Sequence, residues 1–271
     1  IREKTDAAQG RLLLYQISLA ALPIAIDLGL HLVKYGEEAR VPLADFSLDG
    51  KEMKSLRHAE RRARRDGVTF EIVPAPDAPS LMPELRTVSE AWLRAKAQSE
   101  KLFSIGRFDP AYLARFSIAV IRREGRIIAF ANLWTTEGLE ELSVDLMRHD
   151  ENVPPGTMDF LFLQLMQWGQ AQGYRWFNLG LAPLSGIEAR RLAPIWAGIG
   201  GLIYRHGESF YGFEGLRAYK EKFSPVWEPR YIAAPPGVGL ARALIDLQTL
   251  VGGSSRSAAQ RRRLMLVAWG S

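Results

Sequence analysis

The run from Ala111 to His149, "AYLARFSIAVIRREGRIIAFANLWTTEGLEELSVDLMRH", most constrains this chain. Apolar stretches rich in β-branched and aromatic residues are split by Glu124-Gly125 and Glu137-Gly138. Such spacing predicts three antiparallel strands in a meander. A meander buries one face only against another layer, so helices must flank it. The sequence supplies them. "LMPELRTVSEAWLRAKA" before it has helical apolar spacing. "TMDFLFLQLMQWGQAQG" after it reads as a helix, with Thr157 as candidate N-cap and Gly173 as C-cap. "YRWFNLGLAP" reads as a buried strand ending at Gly180 or Ala182, "LRAYKEKFS" as a late helix and "PRYIAAP" as a last strand. The fold class expected is α/β (α+β), with mixed sheets flanked by helices.

Upstream, "RLLLYQIS" reads as a strand and "LAALPIAIDLG" as a short helix closed by Gly29. "LHLVKYGEEARVPL" reads as two strand pieces turned at Gly36. These elements are too few for a sheet of their own, and are expected to end a domain that begins before Ile1. Residues 51–66 hold no Pro or Gly and predict a helix stopped by Gly67. "VTFEIVPAP" then reads as a strand, followed by a Pro-rich linker to Ser80. The expected division is 1–46 as the end of a first domain, 47–67 as a connecting helix, 68–240 as a second domain and 241–271 as a helix and variable tail.

The 51–66 helix carries seven Lys/Arg against three Asp/Glu. Lys54, Arg57, Arg61 and Arg64 or Arg65 recur at steps of three and four and so share a face. Met53, Leu56, Ala59 and Ala63 form a thin apolar stripe. The basic face is either solvated or relieved by an anionic partner, tRNA backbone or lipid headgroups. The whole chain of 271 residues is basic as well, with a formal net charge of +5, which favours acidic partners. It has no cysteine, so disulfides and thiolate metal sites are excluded. His31, His58, His149 and His206 show no ligand spacing, so no metal or cofactor is expected. The most apolar run, residues 17–33, contains Pro23, Asp27 and His31 and is shorter than the roughly 20 residues that span a bilayer. It is expected to be a buried helix followed by a strand.

Helix, meander, helix, strand, helix, strand is the order of a GNAT-type acyltransferase fold. In most GNAT acetyltransferases, a glycine-rich loop after the third meander strand holds coenzyme A pyrophosphate on backbone N–H groups. Here that place holds "MRHDENVPPGTMDF". Pro154 and Pro155 remove two N–H donors and the loop is acidic. Acetyl-CoA chemistry is disfavoured.

Six further motifs stand in order: "KYGEEARV", "FSIGRFD", "ELSVDLMRH", "MDFLFLQL", "GYRWFNLGLAPLSG" and "YGFEGLRAYKEKFSPVWEPRYIA". From about Leu12 to Pro236 they resemble the cytosolic catalytic region of the bacterial multiple-peptide-resistance-factor family, the aminoacyl-phosphatidylglycerol synthases. The resemblance implies tandem GNAT-like domains, the first incomplete here. It implies transfer of lysine or alanine from aminoacyl-tRNA to the glycerol hydroxyl of phosphatidylglycerol. The implied consequence is a less negative membrane and resistance to cationic antimicrobial peptides. It further implies an upstream multi-pass membrane domain and work at the cytoplasmic face of the bacterial cell membrane. Two rival readings stay open: a Fem-type transferase acting on a cell-wall precursor, and a non-catalytic module binding tRNA or anionic lipid.

Transesterification needs a hydroxyl deprotonated, an oxyanion stabilised and two anionic substrates held. Asp145 is expected to bind the ammonium of the amino acid or orient the hydroxyl, and Arg148 to hold lipid phosphate. Three residues apart on a strand, they lie on opposite faces unless the strand ends or bulges near Leu146. Lys220 and Lys222 are separated by about 200° of helix and cannot share a task. The resemblance favours Lys220 in the site, as oxyanion stabiliser or tRNA-phosphate partner. Arg217 shares its face, and Arg217 or Lys222 is a candidate tRNA contact. Glu208, Asn178, Ser185 and Gly180 are candidate substrate contacts. Asp159 reads as a helix-end residue, and Trp168, Trp176, Phe177, Trp196 and Phe210 as core rather than a lipid tunnel.

Overall fold

A computed structural model of the chain describes residues 2–96, 106–187, 215–237, 246–247 and 264–268. They form a mixed α/β structure in two compact units, residues 1–39, 180–220 and 227–271, and residues 40–179 and 221–226.

The second unit contains the meander. Strands β3 (Val68–Val73), β4 (Ile118–Arg123), β5 (Arg126–Thr135) and β6 (Glu141–His149) pair antiparallel in that order. β7 (Trp176–Pro183) joins β6 in parallel, with Leu142 opposite Phe177. The β4–β5 hairpin turns on Glu124 and Gly125, both at positive φ (54° and 78°), as a tight two-residue hairpin requires. One layer of helix packs through α4 (Met82–Ala95) and α5 (Pro110–Leu113). Leu85, Val88, Leu113, Ile118, Val120, Phe130 and Leu146 close that core. Two more helices are α3 (Lys54–Arg65) and α6 (Thr157–Gln172). The stripe of Met53, Leu56, Ala59 and Ala63 is what α3 buries. α6 is apolar nearly all round and is buried from Phe160 to Leu163, as such a helix must be. Phe162 meets both Phe177 and Phe223 edge-on.

The first unit begins with α1 (Arg2–Ala7), β1 (Arg11–Ile17) and α2 (Leu22–Asp27). Its strands run in the order β7, β2 (His31–Pro42), β8 (Val226–Ala234), β1 and β9 (Leu264–Ala268). β1 pairs antiparallel with β8, Leu14 opposite Ala233, and parallel with β9, Leu14 opposite Val267. Leu12, Leu14, Ile17, Ala25, Leu30 and Ala233 form its core. Helix α7 occupies residues 215–221. Among the described residues no helix is long and apolar enough to cross a membrane.

Five sequence expectations change. Gly36 makes no turn: β2 runs unbroken through it. A Cβ there would sit 2.4 Å from the Ala182 carbonyl oxygen, so glycine serves close approach of backbone. Residues 110–113 are helical rather than strand, because Asp109 caps them and Pro110 suits a first helical position. The linker before Ser80 is a short 3₁₀ turn, Ala78–Leu81. The α6 N-cap is Gly156 at φ 88°, and the Thr157 hydroxyl donates back to Pro154 O at 2.6 Å. Finally, β7 continues past Gly180 to Pro183.

Gly36→Ala is expected to cost about 1–3 kcal/mol, the usual range of overpacking. Urea unfolding of the two proteins checks it; an unchanged midpoint would show that the β2 approach is not tight.

Candidate functional site

The first unit holds a buried lysine in an unusual seat. Gly180 stands at φ 81° within β7, a conformation that glycine alone adopts readily. Successive carbonyls of a regular strand point to opposite sides. Here the Gly180 and Leu181 carbonyls both accept from Lys220 Nζ, each at 2.8 Å. Lys220, on α7, is 5% exposed. Burial lowers its pKa to about 7, against the pull of the Glu38 carboxylate, which raises it. Glu38 is buried and ion-paired with Arg230, which also reaches Glu228 at 3.3 Å.

One helical turn earlier, Arg217 donates to Glu37 Oε2 and Ser185 Oγ, and its guanidinium lies 4.1 Å from the Trp227 ring centroid. Ser185 Oγ donates to the same Glu37 oxygen at 3.0 Å. Lys34 Nζ bonds Glu37 Oε1 at 2.8 Å and Gly186 O at 2.9 Å. Burial pushes the Glu37 carboxyl up, but these donors outweigh it and hold the group below its ordinary range. Glu37 and Glu38 follow one another on a strand, so they face opposite sides. That is why one serves Arg217 and the other Arg230.

The second unit builds its polar centre on a β-bulge. Ala131 faces Met147 and Leu133 faces Val144, which leaves Asn132 opposite both Asp145 and Leu146. The extra residue resets the alternation of side chains. Asn132 Oδ1 accepts from the Leu146 N–H at 2.8 Å in place of a ladder bond. Asp145 then accepts from the Tyr112 hydroxyl at 3.0 Å, and Tyr112 accepts from Trp134 Nε1 at 3.1 Å. Arg148 is buried, with its guanidinium 4.0 Å from the Trp92 centroid. Burial raises the Asp145 carboxyl, offset in part by the Tyr112 bond and the Arg148 charge. The bulge at Leu146 is the condition under which Asp145 and Arg148 act on each other.

Other candidates have structural partners. Asn178 donates to Glu141 Oε1 at 3.0 Å, and Arg40 Nε binds Glu141 Oε2 at 2.7 Å. Lys222 pairs with Asp159 at 3.0 Å, in the first turn of α6. On α3, Arg57 turns inward to Leu48 O and Gly50 O. Arg64 pairs with Glu60, and Arg62 and Arg65 with Asp66. Lys54 and Arg61 remain exposed. Glu208, Trp196 and Phe210 lie outside the described residues. Sequence reasoning missed Glu37, Glu38, Arg230, Asn132, Tyr112 and Trp134. Glu37 and Glu38 stood in the quoted "KYGEEARV" and Arg230 in "YGFEGLRAYKEKFSPVWEPRYIA"; the other three stood in none of the six motifs.

Comparison with known proteins gives consistent results. The chain is 36% identical to a phosphatidylglycerol lysyltransferase of Bacillus subtilis over 246 residues, 90% of this chain and 28% of that one. It is 33% identical to a phosphatidylglycerol lysyltransferase of Staphylococcus epidermidis over 241 residues, 89% of this chain and 28% of that one. The chain thus spans about 28% of the length of these curated relatives. Among solved structures, a domain described as the C-terminal domain of a lysylphosphatidylglycerol synthetase from Agrobacterium fabrum superposes with TM-score 0.81 at 43% identity, over 94% of this chain and 78% of that one. L-PGS from Bacillus licheniformis superposes with TM-score 0.79 at 37% identity, over 93% and 76%. FemX, at 8% identity and TM-score 0.54, shares the fold alone. The family model described as phosphatidylglycerol lysyltransferase, C-terminal, matches residues 1–234, and the chain belongs to that family.

Proposed function

We propose that this chain carries aminoacyl transfer to phosphatidylglycerol: an amino acid leaves its ester on tRNA and is joined to a glycerol hydroxyl of the lipid. The observation that carries the reading is the Lys220 seat, in a chain of a family named for that lipid. A neutral amine has two hydrogens and one lone pair. Both hydrogens are used on the Gly180 and Leu181 carbonyls, which leaves the lone pair to accept a proton. A pKa of about 7 keeps much of the amine neutral at working pH.

The lone pair takes the proton of the glycerol hydroxyl as its oxygen attacks the ester carbonyl. A tetrahedral oxyanion forms, stabilised by the new ammonium. It collapses with loss of the terminal ribose oxygen of tRNA, which takes the proton back from Lys220. The ester is already activated, so one base and good positioning suffice. The family's description favours the lipid hydroxyl over the amine of a cell-wall precursor as acceptor. In the second unit, the Asp145 carboxylate suits an ammonium or hydroxyl and the Arg148 guanidinium suits a phosphate. Lys54 and Arg61 on α3 suit tRNA backbone or anionic headgroups. An upstream membrane domain, a place at the cytoplasmic membrane face and resistance to cationic peptides through a less negative bilayer belong to the same reading.

Purified protein with aminoacyl-tRNA and phosphatidylglycerol vesicles is expected to make aminoacyl-lipid, read by mass spectrometry, with lipid-linked muropeptide offered as a competing acceptor. Lys220→Ala and Asp145→Ala should each lower the rate at least about tenfold while circular dichroism is retained. Wild-type rates in both would remove these residues from the reaction, and aminoacylated muropeptide alone would replace the lipid reading.

Lys220 also sets a pH dependence. The rate should rise with pH through about 7 as the amine becomes neutral, and Lys220→Arg should abolish that rise. The folded pKa lies below the ordinary 10.5, so the unfolded chain holds this proton longer. Stability from this group is present above 10.5 and is lost as pH falls through about 7. Lys220→Met should flatten the stability profile across that window in urea titrations; an identical slope in both proteins would place the titration elsewhere.

Reversing Lys54 and Arg61 to Glu should weaken tRNA binding and lower its salt dependence by up to about two charges. Unchanged affinity and slope would leave the α3 face solvated only.

A further inference from the structure

Asp145 is held from another element by a residue that no motif pointed to. Tyr112 lies on α5, whose start is fixed by Pro110 and by the Asp109 carboxylate accepting from the Tyr112 N–H at 3.2 Å. Its ring packs against the α4–meander core and lies edge-on to Phe116, centroids 4.8 Å apart. The core therefore sets where the phenol oxygen stands.

That oxygen has a defined direction of hydrogen bonding. An indole N–H can only donate, so Tyr112 accepts from Trp134 Nε1 and its own proton goes to Asp145 Oδ2. The string runs indole, phenol, carboxylate. The Asp145 backbone is fixed as well, because Asn132 Oδ1 ties the bulge at the Leu146 N–H. With backbone and one oxygen fixed, the direction of the second carboxylate oxygen is fixed.

We propose that Tyr112 is a positioning residue: through its hydroxyl, oriented by Trp134, it holds one oxygen of Asp145 and presents the other to the ammonium or hydroxyl of the substrate. The proposal rests on the reading of Asp145 as a substrate-holding group. The groups acting on this pair are Tyr112 from α5, Arg148 from β6 and, on Tyr112 itself, Arg115. Burial and the neighbouring Asp145 charge push Tyr112 up to about 12, so it stays a donor at working pH. Its bond favours the charged carboxylate. Loss of the hydroxyl should therefore raise the titration of Asp145.

The test uses the whole chain with ¹³C at Asp carboxyls and ¹⁵N at indoles. Asp145→Asn and Trp134→Phe assign the two signals. In the unsubstituted protein the Trp134 indole resonance should move with the Asp145 midpoint, because protonation of the carboxylate loosens its hold on the phenol proton. Tyr112→Phe keeps the ring and its packing. It should raise the Asp145 midpoint by about half a unit or more and silence the Trp134 response. Transfer at neutral pH should fall about tenfold, as for loss of a bond to a charged group, with the acid limb displaced by the same amount as the midpoint. A Trp134 signal indifferent to Asp145 in the unsubstituted protein, or an unmoved midpoint in Tyr112→Phe, overturns the proposal. So does an acid limb that stays in place while the midpoint moves. If both signals behave as expected but the unsubstituted protein makes no aminoacyl-lipid, the string is structural only: the transfer reading and the positioning role both fall.

Discussion

A lysine amine sealed from water behind two carbonyl oxygens is the interaction around which the first unit is organised. Burying an ammonium is costly unless it is well paired. Lys220 has two neutral acceptors close by, and the buried Glu38 already has Arg230 as its partner. The seat is thus polar without being fully compensated, which is the setting that depresses a lysine pKa. It exists because Gly180 breaks the alternation of β7 and turns two successive carbonyls to one atom. The Arg217–Glu37–Ser185 cluster then fixes α7 one turn away.

The second unit reaches its polar centre by the same physical device. A regular β6 would put Asp145 and Arg148 on opposite faces. One extra residue opposite Asn132 removes that separation. The two irregularities, at Gly180 and opposite Asn132, are each held by a glycine or side chain suited to it.

Much of the fold was legible in the sequence because its signals are local. The 124–125 turn, the apolar stripe of α3 and the Gly173 stop of α6 depend on neighbours within a few residues. Helical spacing separated Lys220 from Lys222, and their ammonium groups do have different partners. What could not be read depends on distant contacts. Gly36 looks like a turn residue until Ala182 is brought against it. Tyr112 sits in a segment whose composition resembles the strand that follows, and its role comes from residues 22 and 33 positions away. Conversely, the spacing of Asp145 and Arg148 alone requires that the strand end or bulge near Leu146 if the two are to share a face, and it bulges there.

The pairing of β1 with β8 has a consequence for the order in which the protein forms. The meander joins strands that follow one another, so its pairing closes short loops and can be complete once His149 has been made. β1 must wait for residues at the other end of the described chain, since Leu14 meets Ala233. Until then Leu12, Leu14 and Ile17 lack a lasting partner on that side, a state prone to aggregation during synthesis. The lysine seat belongs to this late-closing unit. A ribosome that stalls before β8 would leave a chain with a finished meander beside an unclosed first unit.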